Sequence, residues 1–185
     1  MAYKLGDVIL SREIIAKRVK EIAEQIAQDT GRDNSVILVG ILTGAAFFLT
    51  DLVREMPEEM DVRVDFMSVA SYGDSTTSSG VVRIFHDLKS SIEGKNVIIV
   101  EDIIDSGLTL SHLLDILKSR NPASLKVCVL LDKYERRKTE VKVDYCGFRI
   151  PDKFVVGYGL DYASKWRHLK DIKYVVEESK RDILI

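Results

Sequence analysis

The spacing of apolar residues changes period several times along this chain. Between Ser11 and Asp29 they recur at helical spacing, with Ile15, Val19, Ile22 and Ile26 on one face. Ser11 is placed to cap the start of that helix, and Gly31 falls where a C-terminal cap glycine would. The pattern then shortens to a continuous apolar run over 35–40, a turn at Leu42-Thr43-Gly44, and a second helical segment over 45–54 with Phe47, Phe48, Leu49, Leu52 and Val53. Residues 62–70 alternate as a strand does, and 81–85 return as a strand, so this part reads as a long hairpin excursion. Between them, SYGDSTTSSG (71–80) has almost no apolar content. Composition alone makes it a solvated loop, whereas a mobile lid would offset its ordering entropy by closing on a ligand.

The central stretch is 96–111, NVIIVEDIIDSGLTLS. A β-branched run (Val97, Ile98, Ile99, Val100) meets two adjacent carboxylates, Glu101 and Asp102. A third acid, Asp105, and the small polar cluster Ser106, Gly107 and Thr109 follow. Leu110, Leu113, Leu114 and Leu117 then fall on one helical face. In an open parallel sheet, ligands sit at that carboxyl edge, and a loop leading into a helix N-terminus suits an anion. Acids beside an anion cradle are explained if a divalent cation, or a cationic sugar centre, lies between them. A merely solvated strand end explains the same residues, and so does an acidic pocket of response-regulator type. Such pockets normally begin after the first strand, however, and this one is mid-chain.

Further along, 125–131 reads as a strand ending at Asp132-Lys133, 145–150 and 154–158 as short strands around Pro151, and 173–176 as a last strand before a charged tail. Arg136, Arg137 and Lys138 read as a solvated basic loop. Strands alternating with helices, without repeats or linkers, predict one α/β domain over 1–185 with a largely parallel sheet.

Composition narrows the function classes. The chain has 185 residues and a net charge of −2, so no global basic field points to nucleic acid or a membrane surface. No stretch reaches about 18 apolar residues and no signal-peptide pattern opens the chain, so a cytoplasmic protein is expected. Cys128 and Cys146 lack metal-type or disulfide-framework spacing, and Cys128, in an apolar run, reads as a buried reduced thiol. There is no GxxxxGK[ST], no GxSxG and no zinc-type histidine spacing. Gly157-Tyr158-Gly159 opens no helix and is no dinucleotide fingerprint.

VIIVEDIIDSGLTL (97–110) closely resembles the phosphoribosyl-pyrophosphate motif of the type I phosphoribosyltransferases. IPDKFVVGYGLDYASKWRHL (150–169) resembles the corresponding segment of their 6-oxopurine members, the hypoxanthine–guanine phosphoribosyltransferases. LVGILTGAAFFLTDLV, VDFMSVASYGDST and LLDKYERR appear in the family's order, so the resemblance covers nearly the whole chain. It implies the type I phosphoribosyltransferase fold, a mostly parallel twisted sheet flanked by helices. A small hood would be built from the N-terminal residues and roughly 145–185.

The resemblance implies transfer of a phosphoribosyl group from magnesium phosphoribosyl pyrophosphate to a 6-oxopurine base. Glu101 and Asp102 would hold the ribose hydroxyls, directly or through Mg²⁺, and Asp161 a second Mg²⁺. Asp105, Ser106, Gly107, Leu108 and Thr109 would wrap the 5′-phosphate, with Asp105 also the general acid/base near purine N7. Lys133 would donate to the purine 6-oxo group, Phe154 would stack on the base, and Val155 would meet its edge through backbone, with Asp161 on the same purine side. Thr43 and Gly44 would form the pyrophosphate loop, where family members often carry a non-proline cis peptide, and Arg167 would pair with pyrophosphate. Ser71 and Tyr72 would belong to the lid. A homodimer or homotetramer is expected by family analogy, with no nucleic-acid or membrane partner.

One departure stands out: many relatives carry Lys or Arg where this chain has Thr43. Taken singly, Lys133 reads as a surface lysine, Phe154 as a core aromatic, and Arg167 as the partner of a neighbouring acid; the ordered combination carries the site. Two rivals remain on the same motif. One is a non-catalytic regulator that senses phosphoribosyl pyrophosphate and binds nucleic acid, and the other an enzyme for another base, such as xanthine or a pyrimidine.

Overall fold

A computed structural model describes residues 3–71 and 82–177. The first helix, α1 (Arg12–Thr30), starts where the spacing places it, with the Ser11 hydroxyl accepting from the Ile14 N–H. Its buried face is Ile15, Val19, Ile22, Ala23, Ile26 and Ala27, and Gly31 ends it at φ 83°. Next come β2 (Val36–Leu42), α2 (Ala46–Arg54), β3 (Val62–Ser71), β4 (Val82–His86), β5 (Asn96–Ile104), α3 (Leu108–Lys118), β6 (Ser124–Asp132) and β7 (Tyr145–Arg149). Of the last two strands, β8 (Val155–Val156) and β9 (Ile172–Glu177), β9 pairs with an N-terminal β1 (Tyr3–Leu10) on one side and with β8 on the other.

The main sheet runs β4-β3-β2-β5-β6-β7, parallel throughout except for β4, which folds back antiparallel on β3. Its middle strands are buried on both faces, which is why they read as unbroken apolar runs rather than alternating ones. Val36, Leu38, Ile98, Val100, Cys128 and Leu130 pack with α1 and α2 on one face. Ile37, Val39, Ile41, Val97, Ile99, Val127 and Val129 pack with α3 on the other. The mostly parallel α/β sheet expected from the resemblance is therefore present.

The structure departs from the sequence reading in four places. β5 continues four residues past Val100, because Glu101, Ile103 and Ile104 go on pairing with β6; the acids lie inside the strand rather than beyond it. β7, within the segment expected to form the hood, pairs with β6 in the main sheet, leaving β1, β9 and β8 as the small second sheet. Apolar spacing gives no signal for β1. Of the expected lid, Ser71 closes β3 opposite Val82, and Tyr72 with the rest of 72–80 lies outside the described residues.

The fourth departure is the basic stretch after Lys133, which is not simply solvated. The β6–β7 connection carries no α-helix. Its backbone lies against the β5–α3 loop instead, with Lys133 N–H donating to Ile104 O (3.0 Å) and Lys138 N–H to Ser106 O (2.9 Å). Arg137 turns inward to pair with the buried Asp132 at 3.0 Å and to donate to Val141 O.

Candidate active site

The carboxyl ends of β2, β5 and β6 bring the expected residues to one edge of the sheet. After β2, the Leu42–Thr43 peptide is cis, and Gly44 follows at the start of the turn into α2. A β-carbon at Gly44 would overlap the Asp102 carboxylate, and one at Gly159 would overlap the Gly44 carbonyl. The 42–44 turn is thus wedged between the acidic end of β5 and the 157–160 turn. Both contacts need glycine because there is no room for a side chain.

Glu101 and Asp102 sit partly buried in β5. Burial raises the Glu101 carboxyl well above the usual range, and the neighbouring Asp102 charge raises it further. Burial also raises Asp102, opposed by the Ile103 N–H, which donates to its Oδ1 at 2.9 Å, and by the positive charge of Arg167. Two crowded carboxylates that resist ionisation form a donor set suited to a divalent cation, which would relieve both costs. Among the described residues no group of three or more His, Cys, Asp or Glu side chains converges as a metal shell, so remaining ligands would come from water and substrate.

The loop after β5, expected to form the cradle, leads directly into α3. Gly107, at φ 78°, turns the chain into α3, whose first residue is Leu108; Thr109 follows in the first turn. The Leu108 N–H points at Ser106 Oγ at 3.4 Å, and a side chain at Gly107 would press on Thr139 and Val141 of the β6–β7 connection. Asp105 stands at the mouth of this loop. Its Oδ1 is shielded from solvent yet accepts no hydrogen bond among the described residues. Arg136 Nε lies 2.9 Å from that atom but off the hydrogen-bond direction. A shielded carboxylate oxygen left without a donor marks a position where a ligand N–H would be received.

Lys133 follows the last residue of β6 with only 8% of its side chain exposed, 3.5 Å from Asp152 Oδ1. Phe154 is half exposed and meets Tyr162 edge-on at 5.3 Å, while Val155 is buried. Asp102, Asp105, Lys133, Phe154, Val155 and Asp161 together line one cavity of about 210 Å³, completed by Ile103 and Leu160. Asp161 is already engaged: it pairs with Arg167 at 2.6 Å and accepts from the Ser164 N–H at 2.7 Å. Arg167 also donates to Gly159 O. The expected metal and pyrophosphate roles of this pair therefore both require it to open. Glu101 does not line the cavity.

Two residues beside the site, Arg136 and Asp152, are not singled out by the sequence reading. Arg136 reads as a surface charge in a basic run, and nothing in its spacing ties it to Asp105, thirty-one positions earlier. Asp152 links Lys133 to Arg136, with distances of 3.5 and 3.3 Å. Asp152 lies in the IPDKF segment, but the resemblance assigns roles there only to Phe154 and Val155.

The geometry agrees with comparisons to known proteins. Residues 6–163 match the family model described as phosphoribosyl transferase domain. The hypoxanthine-guanine phosphoribosyltransferase of Dictyostelium discoideum is 50% identical over 93% of this chain and 96% of its own length. That of Bacillus subtilis is 45% identical over 91% and 92%. A crystal structure of a hypoxanthine phosphoribosyltransferase from Staphylococcus aureus superposes with a TM-score of 0.88 at 41% identity, covering 98% of this chain and 95% of that one. The chain belongs to the phosphoribosyltransferase family, among the hypoxanthine–guanine phosphoribosyltransferases.

Proposed function

We propose that this protein transfers the 5-phosphoribosyl group of phosphoribosyl pyrophosphate to hypoxanthine, guanine or both, forming the nucleoside monophosphate and pyrophosphate. The observation that carries this is the single cavity shared by Asp102, Asp105, Lys133, Phe154, Val155 and Asp161. It joins an acid for the sugar side, a proton acceptor, a buried ammonium and an aromatic platform.

In the reaction the bond from the anomeric carbon to the pyrophosphate oxygen breaks, a carbon–nitrogen bond to the purine forms, and a purine N–H proton is lost. Asp105 Oδ1, which lies beside Arg136 but accepts no hydrogen bond among the described residues, receives the purine N–H and takes up its proton as the new bond forms. Lys133 donates to the 6-oxo oxygen. An adenine amino group there would set donor against donor in a buried site, which discriminates strongly. Phe154 offers its exposed ring to the base. The Asp105–Thr109 loop holds the 5′-phosphate with backbone N–H groups at the start of α3. Thr43 and Gly44 approach pyrophosphate through backbone and hydroxyl, with no side-chain charge at position 43.

Mg²⁺ would be held by Asp102 and Glu101 and would neutralise pyrophosphate as it leaves; Asp161 joins it only if the Arg167 pair opens. A cytoplasmic homodimer or homotetramer is supported by kinship alone, and no helix among the described residues is long and apolar enough to cross a membrane. A spectrophotometric panel of hypoxanthine, guanine, xanthine, adenine and uracil with phosphoribosyl pyrophosphate and Mg²⁺ tests the reading. Turnover of hypoxanthine or guanine is expected, and its absence for both would overturn the assignment.

A further inference from the structure

The cation paired with Asp105 Oδ1 is not one of the expected catalytic set. Arg136 brings Nε to 2.9 Å from Asp105 Oδ1 and Nη1 to 3.3 Å from Asp152 Oδ1, and Asp152 in turn lies 3.5 Å from Lys133 Nζ. Acid, guanidinium, acid and ammonium form a chain of alternating charge from the proton acceptor to the base-reading lysine. We propose that Arg136 is a positioning residue that holds the Asp105 carboxylate ready for the substrate proton and couples it, through Asp152, to Lys133. The inference rests on the function proposed above.

Local structure explains how the chain is assembled. A single 3₁₀ turn, Tyr134–Arg136, follows Lys133, and the Arg136 N–H donates to the Lys133 carbonyl at 2.9 Å. Residues three apart in such a turn lie on one side, so Lys133 and Arg136 are presented together. The same connection is fastened to the cradle by the Lys133 and Lys138 backbone N–H groups. A shift of this loop therefore moves Lys133, Arg136 and the Asp105 loop as one piece.

Stability does not account for the arrangement. The Arg136 side chain is 48% exposed and that of Asp105 42%, and ion pairs so exposed contribute little to folding. The geometry is also unlike a stabilising pair, because the Nε–H does not align with Oδ1. Arg136 supplies positive charge beside the carboxylate while leaving its lone pair available to a substrate N–H. A rigid fork that reaches two carboxylates at once suits arginine, and a lysine could hold only one of them well.

The test is steady-state kinetics of the full chain with hypoxanthine and with guanine, each with phosphoribosyl pyrophosphate and Mg²⁺. Arg136→Met, a neutral side chain of similar length, is expected to lower kcat about tenfold while both KM values stay within about threefold, a fraction of the full effect of an acid/base group. Arg136→Lys is expected to recover most of that loss, since it restores the charge beside Asp105. Asp152→Asn, which loosens both neighbours, is expected to lower kcat and also to raise the KM for the base. Thermal melts confirm that each variant is folded, and Arg136→Gln repeats the neutral test should Met disturb the loop. Parent-like kcat in both neutral variants would overturn the inference, as would a lysine variant no better than methionine. A rise in base KM at constant kcat on neutralising Arg136 would overturn it too, by making Arg136 a binding residue. The parent assayed alongside keeps the readings apart. An active parent with active neutral variants removes the inference alone, and a parent inert on both bases removes the function as well.

Discussion

Gly44 sits so close to Asp102 that a β-carbon at position 44 would overlap the Asp102 carboxylate. The backbone at Gly44 does not occupy the left-handed region, so the requirement is for space and not for glycine's freedom. Asp102 is the site acid that lines the cavity beside Asp105 and Lys133, so anything that pushes it aside disturbs the sugar half of the site. Gly44→Ala is expected to fold, because the clash lies at the open edge of the sheet. It is expected to lose about a hundredfold in kcat/KM for phosphoribosyl pyrophosphate, the usual cost of misplacing a site group by about an ångström. Paired kinetics and thermal melts measure this, and a fully active, folded alanine variant would show that the turn can relax.

Asp105→Asn separates proton transfer from phosphate binding. The amide keeps the shape of the loop that Gly107 and Ser106 build, while the shielded oxygen can no longer take up a proton. Turnover with hypoxanthine is expected to fall by about 10²–10⁴, the range for losing a general acid or base. Binding of phosphoribosyl pyrophosphate, followed by calorimetry, is expected to change by less than about threefold, far below the effect on turnover. Unchanged turnover would remove Asp105 from the chemistry.

The parts of the fold that were legible in the sequence share one physical cause. β2, β5 and β6 are buried on both faces, so their sequences are nearly unbroken apolar runs. α1 carries its own start signal in Ser11 and its stop in Gly31. β1 carries no such signal. Its mixed burial gives no period, and it exists because Tyr3, Lys4 and Leu5 register against Glu177, Val176 and Val175 at the far end of the chain. The proposed sugar-phosphate half of the site was legible because it is contiguous, from Glu101 to Thr109. Lys133, taken singly, reads as a surface lysine and was legible only through the resemblance. Arg136 and Asp152 were not, because only the packing of one connection against another brings them to Asp105. Arg167, taken singly, reads as the partner of a neighbouring acid, and the structure identifies that acid as Asp161.

The two cysteines are predicted to differ in reactivity although both are free. Cys128 is fully buried in β6, and desolvation pushes its thiol far above the ordinary range, so almost no thiolate forms near neutrality. Cys146, in β7, is only partly buried; burial raises its thiol as well, and the nearby Asp132 charge adds to this. An aromatic disulfide reagent is expected to label Cys146 slowly in the native protein and Cys128 only after denaturation. Peptide mapping identifies the labelled residue, and rapid native labelling of Cys128 would mean that the core between β5 and β7 opens readily.

Asp87 and Arg120 provide a pH-dependent contribution to stability. Both guanidinium ends of Arg120 reach the carboxylate, at 2.7 and 2.9 Å, and tie the end of α3 to the segment between β4 and β5. The Arg120 hydrogen bonds hold the Asp87 carboxyl below its ordinary value, with the Leu88 N–H assisting and burial opposing. A carboxyl whose folded pKa is depressed stabilises above its unfolded pKa of about 3.9, and that contribution is lost as the pH falls through the folded value. The side chains are 30% and 49% exposed, so solvent screening keeps the pair to about 0.5–1 kcal/mol. Asp87→Asn is therefore expected to be less stable than the parent by about that amount at pH 7. Urea melts should show this gap narrowing as the pH falls below about 4, and salt should shrink it at neutral pH. Glu13 and Asp29, also held low by their neighbours, are common to both proteins and cancel in the difference. A gap that widened in acid would mean that the ion pair is not its source.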